Sequence, residues 1–461
     1  MEYRRGTWRG RNRGRGRGSW RSDGFSKAAT CQQPRTPSPP VGEVLKEVRM
    51  KDLVASPAKE SNVPVISNCE FLGSYNWMGS IERPAMLIPG GPPRWTPREA
   101  PTQLVEDSGV FYRDENAVRQ PEHPMEPAVR AFAAHNMAAR AQDVDIFACG
   151  STLGNLVRFV RKVDRPFRFT VEAVGDTVFF VRKEKSPSET IEGVRGYGHS
   201  FPEAYTTWDE SCAGSKSHQR LIGYDFAGLN CVVRFEGDGY LKHLDPDPRS
   251  GAATVGTAPS TTKLDMRYGG YMVSQDAVFD LKTRSVKRMD HDVLGEEIPR
   301  LWVAQIANFV LAYHNRGVFE EIRVQNVRRD VDKWESENEE TLGQLAKLIR
   351  EIATMAKSRT DGRLEVCRKA VDVLEIREQC AGTPGALPDD LKAWWTDDRN
   401  NHEDESSDDD DDDDDDVEDR YFSANSDLGD GGVLLGSDDE SEPDYTACSA
   451  EDCGYCGHCR Y

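Results

Sequence analysis

The residues in this sequence with the most chemical content lie in two short runs. In CVVRFEGDGY, residues 231–240, Glu236 and Asp238 stand two positions apart. On a strand, residues two apart point to the same face, so both carboxylates project together while Val233 and Phe235 face the other way. In DAVFDLKT, residues 276–283, Asp280 and Lys282 share a face in the same manner, with Val278 behind them. Two carboxylates on one side of a strand end repel each other, and desolvation inside a sheet raises the cost. A divalent cation relieves that conflict, because Mg2+ and Mn2+ take several oxygen ligands and keep some waters. Asp280 on a neighbouring strand supplies a third carboxylate, and Lys282 can hold a phosphate or orient an attacking water. An acid-x-acid pair with an acid-x-Lys pair is a metal-dependent nuclease arrangement. The plain alternative is two solvated strand ends, where charges are ordinary.

These runs need a sheet to hold them. Alternating or β-branched stretches at 167–174, 177–182, 220–225, 229–235 and 271–281 predict strands, separated by several glycine-containing turns. Ahead of them, 41–53 and 127–142 read as helices. Behind them, 301–314, 331–355 and 363–379 read as helices, with a short strand at 319–324. Helices, then strands, then helices argue for an α+β fold with a mixed, largely antiparallel sheet flanked by helices.

The charge is unevenly distributed along the chain. There are 461 residues with 59 Lys+Arg and 79 Asp+Glu, a net charge of −20. Residues 403–444 hold 21 acidic groups and one Arg, so the remainder sums to zero. Residues 1–40 carry nine Arg and one Lys against Glu2 and Asp23. This divides the chain into a disordered Arg/Gly-rich arm (1–40), an α+β body (41–400), an acidic disordered tail (401–446) and a Cys-rich end (447–461). Arg alternating with Gly, with Trp8 and Trp20 between, builds no core but suits sequence-tolerant contact with RNA. The alternative is a solvated tail. The nine consecutive aspartates from Asp408 either fold back on the arm, bind a basic protein partner, or merely aid solubility. Their DDxxD match to prenyl-diphosphate synthases is rejected, since that signature sits on an apolar helix. Cys448, Cys453, Cys456 and Cys459, spaced for tight turns by Gly454 and Gly457, suit a structural zinc knuckle; disulfides or redox-reactive thiols are the alternative. The seven scattered cysteines fit reduced thiols in an intracellular protein of the nucleus or cytoplasm. No apolar run is long enough for a membrane helix, there is no secretory h-region, and P-loop, Rossmann and nucleophile-elbow motifs are absent.

VRFEGD, FDLKT and a downstream stretch with Trp302 and Gln305 together resemble the DXO family of decapping and 5′-end-processing exoribonucleases, most of all a divergent fungal branch. The run GYGHSFPE, residues 196–203, stands where that family has its Gly-aromatic-x-aromatic-Glu motif. The resemblance covers roughly residues 66–324. It implies a two-sheet nuclease core with the metal site deep in a cleft. It also implies hydrolysis at RNA 5′ ends: release of incomplete or noncanonical caps, removal of 5′ diphosphates and 5′→3′ digestion. Glu203, Glu236, Asp238 and Asp280 would converge to hold Mg2+ or Mn2+, with Lys282 and Gln305 positioning water and the scissile phosphate. The chain departs from the family in having Asp at 280 where the family has Glu, and in lacking an Arg near Gly150, for which Arg158 or Arg161 would substitute. These departures favour a second expectation, a DXO-like pseudoenzyme that binds RNA or protein without turnover. A third is an interaction protein whose tails act alone.

Overall fold

A computed structural model describes residues 38–53, 63–136, 141–191, 194–250, 256 and 264–396. The Arg-rich arm, apart from its last residues, the acidic tail and the four clustered cysteines lie outside the described residues. From Pro39 onward the described residues fall into one unit.

Among the described residues the larger sheet has twelve strands. It runs from Val44–Arg49 through Val373–Arg377, Arg363–Ala370, Phe167–Val174, Thr177–Arg182, Ile146–Cys149, Leu229–Glu236, Ser217–Phe226, Ile66–Gly79, Pro84–Gly90 and Asp265–Met272 to Arg249–Ser250. The smaller has seven: Thr102–Gln103, Val318–Asn326, Asn308–Asn315, Val278–Ser285, Gly239–Tyr240, Arg94–Trp95 and Thr206–Thr207. Most neighbours are antiparallel, with parallel pairs such as Leu229–Glu236 on Ile146–Cys149 and Val278–Ser285 on Asn308–Asn315. The mixed α+β, two-sheet architecture expected from the sequence is therefore the architecture found.

The central strands are apolar on both sides because both faces are covered. Ile146 and Ala148 join a core with Phe169, Val171, Phe180 and Val233, which also takes in Val278, Phe309 and the helices Gly150–Val160, Val293–Ala304 and Glu339–Ser358. Phe147, between them, faces the other way and packs with Phe132, Phe179 and Trp395. This is period-two alternation with two apolar faces.

One passage of chain positions the chemistry. Leu229–Glu236 belongs to the larger sheet and Gly239–Tyr240 to the smaller, so Glu236, Gly237 and Asp238 bridge the two. Gly239 is required there: a Cβ would stand 2.5 Å from the Phe279 ring and 2.8 Å from the Pro93 carbonyl oxygen.

Four expected elements differ. The predicted helix at 41–53 is the strand Val44–Arg49 followed by a short 3-10 turn, Met50–Leu53. The predicted helix at 363–379 is an antiparallel hairpin, Arg363–Ala370 with Val373–Arg377. In both, pairing to distant strands overrides a local helical stripe. The 271–281 strand is broken by a turn at Gln275–Ala277, capped by the Ser274 hydroxyl. The 301–314 helix stops at Ala304, where Gln305 turns left-handed at φ 50°, and the chain resumes as the strand Asn308–Asn315.

Candidate functional site

The passage between the sheets opens on a cleft of about 270 Å3, and Glu203, Glu236, Asp238 and Lys282 all line it. The alternation read from the sequence places them. Val233 and Phe235 enter the core, leaving Glu236 on the side of Arg234. Phe279 and Leu281 pack into the smaller sheet's own core, leaving Asp280 and Lys282 on the Val278 face. Asp238 Oδ2 accepts the Leu281 N–H at 2.6 Å, which fixes the passage between the sheets against the strand Val278–Ser285. Lys282 Nζ lies 3.3 Å from Asp280 Oδ1 and donates to the Leu281 carbonyl at 3.0 Å.

Asp280 has a second cationic partner that the sequence reading missed. Arg300, on the helix Val293–Ala304, pairs with Asp280 Oδ1. Arg300 Nε also stands 3.3 Å from Glu297 Oε2, and Arg284 reaches Glu297 Oε1 at 3.0 Å. Asp238, Asp280 and Glu297 are thus set against Lys282, Arg284 and Arg300. The balance is local rather than uniform. Burial, and next the charge of Asp280, push the Asp238 carboxyl up to about 6, against the pull of Lys282 and Arg300. Burial and Arg300 act to lower the Lys282 pKa, but Asp280, Glu297 and Asp238 outweigh them and leave it raised.

The four carboxylates expected to converge do not form one cluster. Among the described residues, no three His, Cys, Asp or Glu side chains gather closely enough to cage a metal. Glu203 is exposed on the short helix Ser200–Tyr205, and Asp280 is held by Lys282 and Arg300. What remains suits a divalent ion that draws most of its ligands from outside the protein. Mg2+ is commonly bound through one or two carboxylates plus substrate phosphates rather than by an all-protein cage. Glu236 and Asp238 offer two such oxygen donors, and the raised pKa of Asp238 marks a carboxylate that gains from an added positive charge.

Gln305 is not among the residues lining the cleft. Its amide donates to the Trp302 carbonyl at 2.6 Å and accepts from Arg328 at 3.1 Å. Neither of the arginines suggested to stand in near Gly150 lines the cleft. Arg158 is buried and bonds Asn155, and Arg161 lies 5.8 Å over the Trp334 ring. In their place Arg182, Arg234 and Lys216 line it. Arg234 donates to the Pro124 carbonyl and contacts Cys149 Sγ, each at 3.2 Å. The sequence held a signal for it, since Arg234, Glu236 and Asp238 share one face. Gly150 and Ser151, the first residues of the helix Gly150–Val160, also line the cleft, and the N-cap residue Cys149 makes no side-chain cap. His199, within the run GYGHSFPE, lines the cleft with its ring stacked on Phe111 at 3.7 Å between centroids.

The arrangement combines carboxylates, fixed cations and a helix N-terminus in one cleft between two sheets, and the fold is that of the DXO class. Scheffersomyces stipitis Rai1, solved with (3′-NADP)+ and a calcium ion, superposes with a TM-score of 0.51 at 10% identity, over 76% of this chain and 99% of that one. Schizosaccharomyces pombe Rai1 with 3′-FADP gives 0.49 at 9% identity, over 73% and 99%. Candida albicans Rai1 with pU5 and Mn2+ gives 0.47 at 10%, over 74% and 99%. No curated protein sequence matches the chain. Residues 48–395 match the family described as Domain of unknown function (DUF8563), and the chain belongs to that family.

Proposed function

We propose that the chain binds the 5′-phosphorylated end of an RNA in this cleft and hydrolyses a phosphate linkage there, with Mg2+ or Mn2+ held by Glu236 and Asp238. The observation that carries this reading is the tethering of Asp238 to the strand bearing Lys282, with both side chains on the cleft. A 5′ phosphate needs fixed positive charge around it. Lys282 supplies an ammonium, Arg234 a guanidinium that stays charged at any working pH, and the uncapped helix N-terminus at Gly150 a set of free N–H groups. The S. stipitis protein of the same fold was solved with a dinucleotide and a divalent ion, which supports a ligand of this chemical class.

When bound, the ion would acidify a water and offset charge developing on phosphorus. Glu236 and Asp238 bind it only when ionised, so binding weakens in acid. Lys282 neutralises the phosphate oxygens. Asp280 acts by holding Lys282 in place rather than as a ligand.

The test is Mn2+-dependent release of product from 5′-triphosphorylated or capped RNA. Glu236→Ala with Asp238→Ala should lower the rate by ~10³ or more, the scale of removing the groups that hold a catalytic charge. Activity that survives the double substitution overturns the assignment. One observation favours a second reading, a cleft that binds RNA without turnover: Arg300 already neutralises Asp280. That reading expects RNA binding in the same preparations with no Mn2+-dependent product.

A further inference from the structure

Three consecutive residues at the start of the strand Ser217–Phe226 leave a polar atom unpartnered among the described residues, and all three line the cleft. Ser217 Oγ, His218 Nε2 and Gln219 Nε2 accept or donate no hydrogen bond. The residues are 5%, 1% and 2% exposed. Buried polar atoms are nearly always paired, and a group left unpaired asks for a partner from outside the chain. Successive strand residues point to opposite faces, so Ser217 and Gln219 stand on the face of Glu236 and His218 on the other.

The hydrogen-bond network fixes what each atom offers. His218 Nδ1 lies 2.7 Å from Asn76 Oδ1. The Asn76 amide is oriented by its neighbours: Nδ2 donates to the Gly91 carbonyl at 2.9 Å and to Ser215 Oγ at 2.8 Å, while Oδ1 accepts the Gly91 N–H at 3.1 Å. An amide oxygen only accepts, so Nδ1 carries the proton and Nε2 presents a bare lone pair. Burial, and after it the charge of Arg220, hold the ring neutral. Gln219 is oriented in the same way. Asn116 Oδ1 accepts from the Tyr75 hydroxyl at 2.6 Å and Trp77 Nε1 at 2.9 Å, so Asn116 Nδ2 donates to Gln219 Oε1 at 3.3 Å. Gln219 Nε2 is left as a donor. The face of Glu236 therefore carries a donor and a hydroxyl, and the opposite face one acceptor, His218 Nε2.

Its place next to the carboxylates narrows the ligand. Gln219 is the cross-strand partner of Glu236, and the Gly237 N–H donates to the His218 carbonyl at 2.9 Å. A Cβ on Gly237 would stand 3.2 Å from His218 Cδ2, so glycine keeps the edge of that ring clear. In a nucleotide, the group nearest the 5′ phosphate is its own ribose. A ribose offers hydroxyls that donate, which suits the acceptor His218 Nε2. We propose that His218 makes the ribose contact of this site: its Nε2 accepts from the 2′-hydroxyl of the nucleotide whose phosphate meets Lys282. The proposal rests on the reading of the cleft as an RNA 5′-end site.

The test uses the full chain, with Ca2+ as the divalent ion, and two 5′-monophosphorylated pentaribonucleotides that differ by a single 2′-deoxy sugar at the first position. Binding is read by fluorescence anisotropy. The unsubstituted protein should prefer the all-ribo ligand by about tenfold or more, the scale of one buried hydrogen bond lost with its partner left unpaired. His218→Phe should erase the preference by weakening only the all-ribo ligand, and Gln219→Leu, on the opposite face, should leave it. Equal binding of the two ligands by the unsubstituted protein, or an unchanged preference in His218→Phe, overturns the proposal. The deoxy ligand makes its case without altering the protein, so the result stands even where His218→Phe fails to fold. Hydrolysis measured with Mn2+ in the same preparations reads the other claim separately: turnover without a sugar preference removes the ribose contact alone, and a sugar preference without turnover removes the hydrolysis alone.

Discussion

Two buried charge clusters in this protein are built to opposite ends. Under the helix Glu126–His135, Arg130 and Glu126 pair at 2.7 Å one turn apart, Gln120 donates to the remaining Glu126 oxygen, and Arg130 reaches Asp390 at 3.4 Å on the helix Asp389–Trp395. That cluster closes on itself and ties two helices together over Phe132 and Trp395. In the cleft, Lys282 and Arg300 close around Asp280, but Asp238 beside them keeps a raised pKa, and three polar atoms on the adjoining strand stay unpaired. A cluster that serves only the fold satisfies its own charges. One that serves a ligand leaves charges and hydrogen bonds for the ligand to complete.

The largest effect tests the closed cluster. Arg130→Met leaves the Glu126 carboxylate buried and without its cation. Breaking one side of a buried pair costs about 3–5 kcal/mol. Urea unfolding should report a loss of that size, while RNA affinity per folded molecule stays as it was. A loss below about 1 kcal/mol would mean that Glu126 finds another partner, and the contrast with the cleft would fail on its structural side.

How much of the site was legible in the sequence follows from how local each feature is. Glu236 with Asp238, and Asp280 with Lys282, were readable because strand alternation depends only on neighbours two residues away. The sheet order was not readable, but the α+β class was, from the sequence of element types. Arg300 and Gln305 were misjudged for one shared reason. Their roles depend on where the helix Val293–Ala304 ends, and that is set by pairing of Asn308–Asn315 with Val278–Ser285 and Val318–Asn326, both tertiary events. A helix drawn on to residue 314 sends Gln305 round one face, whereas the real chain turns left-handed at Gln305, whose amide oxygen accepts from Arg328. The hairpin at 363–377 escaped notice for the same reason, since its partner strands begin 44 and 167 residues into the chain. His218 gave no signal at all, because its importance lies in the second ring nitrogen, which only the Asn76 contact defines.

The next effect tests the open cluster and carries a sign. The Asp238 carboxyl has a usual value of 3.8 and is raised to about 6 in the folded chain. A carboxyl with a raised folded pKa holds its proton more tightly when folded. It therefore favours folding below the unfolded value near 3.8, and that contribution is lost as pH rises through 6. At pH 7.5 the folded protein bears the penalty of an ionised Asp238, which Asp238→Asn removes. The variant should be more stable than the parent by about 2 kcal/mol at pH 7.5, with the gap closing towards pH 4. It should also lose Mn2+ affinity, as read by isothermal titration calorimetry. In the parent, Mn2+ binding should weaken as pH falls through 6. A variant that is less stable at pH 7.5 would place Asp238 in a closed structural pair like Glu126.

The smallest effect shows that burial, not the number of ion pairs, separates the clusters. Lys333 and Glu337 pair at 3.7 Å, four residues apart on the helix Arg328–Glu337, with side chains 72% and 61% exposed. Water screens such a pair and side-chain entropy opposes it, so its worth is about 0.5 kcal/mol or less. Glu337→Gln should move the urea midpoint barely beyond error and leave RNA binding alone. The substitution repeats, at the surface, the loss of one charge from an i,i+4 Glu–Arg or Lys–Glu pair, the same local geometry as Glu126 with Arg130. If the two substitutions cost the same, then desolvation is not what makes the buried clusters matter. The raised pKa of Asp238, whose first cause is burial, would then lose its claim to mark a site waiting for a cation.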